Sequence, residues 1–442
     1  MSELLRFWFA FENEVDRPTY LVHGLGLMAV KYAVDASLIG LTTDVVWAPW
    51  DYLNPVPLLS AGLTEAGPTW LAPTLLAWTL PFLWIGVTLT MRRLLHAGWS
   101  PWYSLLFFIP FVGYALMALL VLLPEARESR ALVAVPRPSA EKKPAAAKAI
   151  MAGVAVGLGM IFLGILWLER YGLAIFMGTP FAIGVVAGYT YCRAYPGTWG
   201  ETVGVTLLAG LLTTLASFAV GLEGAICIIM MAPLGLPLVL MGGAVGRAIA
   251  RNGGRSLEGV LVLAMLPTSA VLEEPAETYP LRAVVSTIEI EASAEAVWEA
   301  VVAFPELPPP DEILFRLGVA YPVSAHIEDG VRYCVFSTGA FVEPITHSEP
   351  GRRLAFDVVD SPRPLDELSP YPIKPPHLDG YLVPRRGEFL IVPLPEGGVR
   401  LEGTTWYEQR LQPAGYWGAF SDAIIAAIHH RVLDHIRVVA EG

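Results

Sequence analysis

Apolar positions run almost without interruption through the first part of the chain, and they give way to an alternating pattern only near residue 281. A helix needs about 20 mainly apolar residues to cross a bilayer. The segments that meet this length are 20–42, 69–91, 101–123, 149–168, 172–192, 202–221 and 224–246. An eighth segment, 256–272, is short and holds Gly259 and Pro267, so it either spans or lies in the interface. The pattern predicts a multi-span α-helical membrane bundle.

From Leu281 the pattern is typical of a soluble α+β domain. Residues 281–292 alternate as a strand does, and residues 293–304 have helical spacing with Ser293 in the N-cap position. A single amphipathic helix is predicted over 413–440. The other predicted strands are 322–328, 331–337, 340–347, 353–359, 385–394 and 398–411. This order predicts a helix-grip fold, in which a curved antiparallel sheet wraps around the long C-terminal helix.

Composition divides the chain into four parts. We expect a membrane domain at 1–123 with about three transmembrane helices, and a basic linker rich in Ala and Pro at 124–148. A second membrane bundle of four or five helices follows at 149–272, and the soluble domain occupies 281–442. The net charge is −12, and no basic stripe is present, so we expect no nucleic-acid partner.

The N-terminal part carries a recognisable signature. Residues 92–124 read RRLLHAGWSPWYSLLFFIPFVGYALMALLVLLP, and the lead-in reads FAFENEVDRPTYL. Over about residues 8–124 this resembles a family of small bacterial membrane proteins named domain of unknown function 805. The chain departs from that pattern at Ala97, where Asp is usual, and in its acidic lead-in. The resemblance implies a membrane location and no particular activity.

The C-terminal part resembles a second family. The segments that carry the resemblance are IEIEASAEAVWEAVVAF at 288–304, GEFLIVPLPEGGVRLEGTTWYEQ at 387–409, and the final helix. Over about residues 282–442 they are similar to the START-like, or SRPBCC, superfamily of polyketide cyclases, aromatase-like domains and lipid-transfer proteins. The resemblance implies a hydrophobic ligand between the sheet and the long helix. Because that superfamily holds both binders and enzymes, the fold does not decide between them.

Lys and Arg residues bear on the orientation of the bundle. With the N-terminus inside, the inner flanks hold five of them and the outer flanks ten, against the positive-inside rule. With the N-terminus outside, the C-terminal domain lies in the cytoplasm if 256–272 does not cross the membrane, and it is exported if that segment crosses. We expect a multi-pass protein of the bacterial inner membrane with its C-terminal domain in the cytoplasm.

The first apolar segment holds two charges, Lys31 and Asp35, four residues apart. This spacing places them on one helix face, where they are able to pair. Charges at this depth are often functional, but a purely structural pair explains them equally well.

The candidate chemistry of the soluble domain is sparse. A Pro-rich connection at 361–383 is long enough to serve as a lid, and it holds His377 and Asp379. Together with Glu408 these residues are weak candidates for acid–base catalysis. No CxxC or HExxH spacing is present, so we expect no metal site and no cofactor, and we expect Cys192, Cys227 and Cys334 to be inert.

Ligand-binding candidates lie where the last strand meets the helix. Trp406, Tyr416 and Trp417 combine a ring with a polar tip, which suits the mouth of an apolar pocket and suits core packing equally well. Ile424 and Ile428 lie on the apolar helix face and are expected to form one wall of the cavity.

Three hypotheses follow from these patterns. The first is a membrane-anchored protein that binds or transfers a hydrophobic small molecule such as a lipid, an isoprenoid or a polyketide-like compound. The second is a cyclase- or hydrolase-type enzyme that acts on such a ligand through His377, Asp379 or Glu408. The third is a structural or interaction protein whose cup is filled by its own side chains. We favour the first, with the bilayer as its other partner and the oligomeric state open.

Overall fold

The structure is a computed structural model. It describes residues 3–11, 14–53, 67–68, 70–108, 112–125, 141–167, 171–254, 259, 279–369, 373 and 375–442. The chain divides into two compact units: the first comprises Met1–Leu59, Leu71–Val220 and Ile228–Pro275, and the second Ser60–Trp70, Gly221–Cys227 and Ala276–Gly442. Most of the predicted linker and nearly all of the doubtful segment 256–272 lie outside the described residues.

The first unit is helical. Its α-helices are α1 Glu3–Phe9, α2 Arg17–Thr42, α3 Leu71–His96, α4 Val112–Leu122, α5 Lys142–Phe162, α6 Thr179–Ala194, α7 Trp199–Ala219 and α8 Ala225–Arg251, except that the first three residues of α8 belong to the second unit. Among the described residues, five helical stretches are long and apolar enough to cross a membrane: Arg17–Thr42, Lys142–Ile165, Ala174–Ala194, Trp199–Ala219 and Ala225–Arg251. The predicted multi-span helical bundle is thus confirmed.

The other two segments that the sequence indicated as spans are not among these five. Helix α3 covers the first of them. In the second, Pro101–Phe108 form a 3-10 helix and α4 has only 11 residues. A helix of that length is too short to cross a bilayer alone.

Helices α6 and α8 meet at glycines. A Cβ atom at Gly184 would lie 2.1 Å from the carbonyl oxygen of Val239, and one at Gly246 would lie 2.2 Å from that of Val185. No side chain fits there, so the two backbones are in direct contact. Small residues spaced four apart are the usual means of bringing helices this close in lipid.

Two arginines of the N-terminal signature bind backbone carbonyls within the first unit. Arg92 donates to the carbonyl of Phe7 at 2.6 Å. Arg93 donates to Leu120 at 3.0 Å and to Leu123 at 2.6 Å, near the C-terminal end of α4. Carbonyls at a helix end have no partner within their own helix, so Arg93 supplies one and joins α3 to α4.

The second unit contains a seven-stranded antiparallel sheet. Its strands are β1 Leu281–Ile290, β2 Pro322–Glu328, β3 Val331–Phe336, β4 Gly339–Glu349, β5 Arg353–Asp357, β6 Leu382–Pro393 and β7 Val399–Gln409, in the order β1-β7-β6-β5-β4-β3-β2. Short helices α9 Ala294–Val302 and α10 Ile313–Arg316 follow β1, and the long helix α11 Ala414–Glu441 ends the domain. The predicted helix-grip order is confirmed.

Helix α11 packs against the sheet through an apolar core and a buried polar network. The core includes Leu401 of β7 and Ile436 of α11, both with no exposed surface. In the network, Asp422 of α11 accepts hydrogen bonds from Tyr407 of β7 at 2.6 Å and from Arg282 of β1. Buried charges are stable only when they are paired in this way, so the network fixes the register of the helix on β1 and β7.

Candidate functional site

A cavity of about 140 Å³ lies between the sheet and α11 in the second unit. Most of its wall is apolar. The sheet contributes four aromatic rings and the helix a row of aliphatic side chains: Phe336, Phe341, Phe356, Phe389, Ile424, Ile425, Ile428, Val432 and Leu433. The apolar face of α11 forms one side of the cavity and strands of the sheet form the other. Its surface is suited to an apolar ligand.

Arg332 of β3 and Glu343 of β4 form an ion pair in the cavity wall. Both side chains are buried, and the guanidinium lies 5.0 Å from the ring centre of Phe356 and 5.5 Å from that of Phe389. Burial raises the pKa of Glu343, although Arg332 beside it acts in the opposite direction. The ion pair thus places a strongly polar group among the aromatic rings of the cavity wall.

His429 of α11 also reaches the cavity wall. One ring nitrogen lies 2.8 Å from the hydroxyl of Thr405 and the other 3.2 Å from the hydroxyl of Ser286. Burial, and secondarily the charge of His430, lower the pKa of His429 to about 4. The imidazole is therefore neutral near pH 7, and hydroxyl groups of the sheet occupy both of its nitrogens.

Of the predicted ligand-binding residues, Ile424 and Ile428 line the cavity. Trp406, Tyr416 and Trp417 do not belong to its lining. The guanidinium of Arg386 lies over the ring of Trp406, 4.1 Å from the centre of that ring. Arg386 itself lines the cavity. Trp417 is buried and stacks edge-on with Tyr416 at 5.3 Å. These three rings contribute to packing around the cavity and at the start of α11, which is the other role that the sequence allowed.

The three weak catalytic candidates do not converge. Glu408 accepts hydrogen bonds from Arg385 at 2.7 Å and from Arg410 at 2.6 Å. Partial burial would raise the pKa of this carboxyl, but the two guanidinium groups outweigh burial and hold the pKa below its ordinary value. Asp379 is exposed and pairs with Arg363 through two 3.0 Å hydrogen bonds. Neither carboxylate lines the cavity, and both are occupied by arginines.

His377 belongs to a different cluster. It lies in the 3-10 helix Pro376–Leu378, with its Nε2 atom 3.0 Å from the sulfur of Cys227 and its Nδ1 atom 3.6 Å from Glu223. The donor atoms of all three residues lie within 4.8 Å of one another. The sequence indicated an inert thiol at Cys227, whereas the fold brings this thiol to a buried imidazole and a carboxyl group.

Burial dominates the electrostatics of this cluster. It lowers the pKa of His377 to about 4. Burial together with the carboxyl of Glu367 raises the pKa of Glu223 to about 8. Glu367 lies against Gly224, where an added Cβ atom would approach its Oε2 atom to 1.9 Å. The glycine thus leaves the space that lets a second acidic side chain approach.

Lys31 and Asp35 of α2 are in contact. Lys31 donates a hydrogen bond to the Asp35 carboxylate, and the hydroxyl of Tyr52 donates a second one at 2.6 Å. Asp35 has no exposed surface, and the Lys31 ammonium lies 5.4 Å from the ring centre of Tyr52. The charge pair therefore has a third member, which the spacing of the two charges did not indicate.

Sequence reasoning did not indicate the place of Arg332 in the cavity wall or the contact between Cys227 and His377. Arg332 precedes Cys334 at strand spacing, and a charged residue on the inner face of a predicted strand is a signal that was available. The contact between Cys227 and His377 joins positions 150 residues apart. Nothing in a single sequence indicates a contact of that kind.

One family model matches the N-terminal part of the chain. Residues 8–130 match the family model described as "Protein of unknown function (DUF805)", which confirms the resemblance of the N-terminal region. No curated protein matches the chain.

The C-terminal part is similar in structure to several solved proteins. ZhuI aromatase/cyclase from Streptomyces sp. R1128 is 14% identical, with a TM-score of 0.25. The aligned region covers 37% of this chain and 94% of the ZhuI chain. Truncated norcoclaurine synthase from Thalictrum flavum is 13% identical, with a TM-score of 0.24. The aligned region covers 38% of this chain and 98% of the synthase chain. The di-domain ARO/CYC protein BexL is 14% identical, with a TM-score of 0.25. The aligned region covers 42% of this chain and 58% of the BexL chain. These likenesses concern the fold alone.

Proposed function

We propose that the C-terminal domain binds a hydrophobic small molecule, and that the helical bundle holds this binding domain at a membrane. The observation that carries the proposal is the cavity between the sheet and α11, with aromatic rings on one side and aliphatic side chains on the other. Concave sites of this composition, with a few polar groups that fix orientation, are typical of small-molecule binding.

The volume of the cavity bounds the ligand. An apolar cavity of about 150 Å³ accepts benzene, and sites for drug-sized ligands have volumes of roughly 300–1,000 Å³. The cavity of about 140 Å³ therefore takes one ring or a short apolar segment. A lipid, an isoprenoid or a polyketide-like compound would place one such part inside, with the remainder outside.

The polar groups of the wall set the chemistry that the ligand needs. The Arg332–Glu343 pair offers a hydrogen-bond donor and an acceptor beside the rings of Phe356 and Phe389. A hydroxyl or carbonyl group on the ligand would be oriented there. We therefore favour an amphipathic ligand with one polar group over a pure hydrocarbon.

Binding has more support than catalysis. Asp379 and Glu408 pair with arginines and lie outside the cavity wall. Within the wall, His429 is engaged by two hydroxyls, and burial raises the pKa of the Cys334 thiol to about 12. General acid–base catalysis needs a base within hydrogen-bond reach of the ligand. None of these four groups is such a base.

For the location we propose the bacterial inner membrane, with the binding domain in the cytoplasm. The support is the distribution of Lys and Arg residues around the spans. With the N-terminus outside, ten of them lie on the cytoplasmic side and five on the opposite side, as the positive-inside rule requires. Exchange of the ligand with the bilayer would follow directly from such an arrangement.

The test is to identify molecules that co-purify with the full chain, using native mass spectrometry after release from detergent. Ile428→Trp fills part of the cavity, and Val438→Trp is its matched control because Val438 is 63% exposed on the same helix. Lipids bound to the helical bundle should appear with both variants. A species that is present in the wild type and in Val438→Trp but lost in Ile428→Trp supports the proposal. Identical species in all three proteins would contradict it.

A further inference from the structure

The second unit holds a cluster of three metal-ligating side chains outside the cavity: Glu223, Cys227 and His377. They come from three places in the chain: the turn before α8, the first turn of α8, and the 3-10 helix of the Pro-rich connection. His377 is buried, and the other two side chains are half-buried. None of the three lines the ligand cavity, so the cluster is a separate feature of the domain.

The contacts around the cluster hold its parts together. The amide of Ala225 donates to the carbonyl of Leu368 at 3.0 Å, which ties the start of α8 to the Pro-rich connection. On the same connection, Asp366 donates its amide to the carbonyl of Gly318 at 2.8 Å. The hydrogen bond of Ala225 thus joins the segment that carries Glu223 and Cys227 to the connection that carries His377, and a binding site needs support of this kind.

We propose that Glu223, Cys227 and His377 bind a transition-metal ion of the zinc class. Ligand atoms placed about 2.0–2.3 Å from a tetrahedral ion lie roughly 3.3–3.8 Å apart. Here the sulfur lies 3.0 Å from the imidazole Nε2 atom, and the other imidazole nitrogen lies 3.6 Å from the carboxylate. The two contacts reach different nitrogens of the ring, so an ion bound at one nitrogen requires the ligand on the other side to move toward it.

The chemistry of the three ligands selects the class of metal. Thiolate and imidazole favour zinc, cobalt and copper, whereas magnesium and calcium prefer sites made of oxygen alone. Three protein ligands leave a fourth position on a tetrahedral ion. The carboxyl of Glu367, which lies beside Gly224 and Cys227, or a water molecule would complete it.

The same distances also describe a nucleophile, a base and an acid in a row, as in a cysteine hydrolase. We favour the metal because all three ligand atoms lie within 4.8 Å of one another and so form a triangle around one point. The 3.6 Å between His377 and Glu223 is longer than the hydrogen bond that would orient a catalytic imidazole.

The experiment uses the full chain in detergent, freed of any polyhistidine tag and stripped of metal with a chelator. Titration with Co²⁺ should give a thiolate-to-cobalt charge-transfer band that saturates at one ion per chain, and Zn²⁺ should abolish it by displacement. Cys227→Ser should lose the band. Cys192→Ser is the matched control, since Cys192 is a buried cysteine remote from the cluster in sequence, and it should keep the band.

His377→Gln and Glu223→Gln retain the thiol and should weaken Co²⁺ binding at least about tenfold, whereas His347→Gln at an exposed strand position should leave it unchanged. These two variants also serve if Cys227→Ser does not give a monodisperse protein. Absence of the band in the wild type, or a band that survives Cys227→Ser, would overturn the proposal. In that case Cys227 and His377 form only a hydrogen-bonded contact beside Glu223.

Discussion

Arg332 and Glu343 face each other directly across β3 and β4, and their ion pair is buried in the cavity wall. A buried charge that loses its partner is strongly destabilising, by about 3–5 kcal/mol. We therefore expect Arg332→Leu to lower the free energy of unfolding of the domain by about that amount. Arg332→Leu combined with Glu343→Leu should recover much of the loss, because no unpaired charge remains.

A second ion pair on neighbouring strands provides the control for that experiment. Arg353 and Glu388 lie 2.8 Å apart, with the arginine side chain 43% exposed. Exposed pairs contribute about 0–1 kcal/mol, so Arg353→Leu should change stability little. Calorimetric melting of each variant measures the difference. Equal decreases in the free energy of unfolding for Arg332→Leu and Arg353→Leu would show that burial of the Arg332–Glu343 pair does not raise the cost of losing one partner.

Residues 281–442 should fold without the rest of the chain. All seven strands, α11 and the apolar core that joins them lie inside this fragment. We expect a soluble monomer with a single cooperative melting transition. Gel filtration and circular dichroism on the isolated fragment check this. Insoluble protein, or a transition without cooperativity, would mean that the domain depends on residues outside these bounds.

The imidazole of His429 should make the domain less stable in mild acid. Its pKa in the folded protein is about 4, compared with an ordinary value of 6.5. Between these values the unfolded chain binds a proton that the folded chain does not. The contribution of the neutral His429 to the free energy of unfolding is therefore fully present above about pH 6.5. It is lost as the pH decreases toward 4, and the loss for this group is at most about 3 kcal/mol.

The variant His429→Gln removes that titration and should flatten the decrease in stability. A smaller decrease remains in the full chain, because burial lowers the pKa of His377 to about 4 as well. His347→Gln changes an exposed histidine and should leave the pH profile as it is. Denaturant midpoints measured from pH 7 to pH 4.5 distinguish the variants. Parallel profiles for wild type and His429→Gln would count against the neutral imidazole.

Replacing Lys31 alone by Leu should reduce the yield of folded protein more than replacing Lys31 and Asp35 together. Among the described residues, the single change leaves Asp35, which has no exposed surface, with the Tyr52 hydroxyl as its one side-chain donor. An unpaired charge near the centre of a span costs about 2.5–3.5 kcal/mol. Lys148→Leu, at an exposed position near the start of α5, is the control. Equal yields for the single and double variants would mean that the two charges do not depend on each other.

The order of elements in the C-terminal domain was predictable because strand alternation and helical spacing are local patterns. Cavity-lining positions on α11 were predictable for the same reason, since Ile424 and Ile428 follow from the helical period. The aromatic residues were a harder case. A ring such as that of Trp417 suits a pocket mouth and a packed core equally, and only its neighbours decide between them.

Contacts between distant segments were beyond the reach of one sequence. Tyr52 completes the Lys31–Asp35 pair from outside the helix, and His377 meets Cys227 across 150 residues. Neither contact leaves a periodic or spaced pattern. The predicted span at 101–123 is described in two parts, a 3-10 helix at Pro101–Phe108 and helix α4 at Val112–Leu122, and residues 109–111 lie outside the described residues.

The cavity makes two positions of α11 respond differently to the same substitution. Ile428 borders about 140 Å³ of open space, whereas Ile436 has no exposed surface and lies in the packed core. Overfilling a packed core costs about 1–3 kcal/mol because side chains and backbone are forced from their minima. Ile436→Trp should therefore destabilise the domain by about that amount, and Ile428→Trp should cost clearly less because the added ring enters the cavity. Calorimetric melts of the two variants, measured side by side, give the comparison. If Ile428→Trp destabilised the domain as much as Ile436→Trp, the space would not accept a ring, and the domain would behave as a filled core without a ligand.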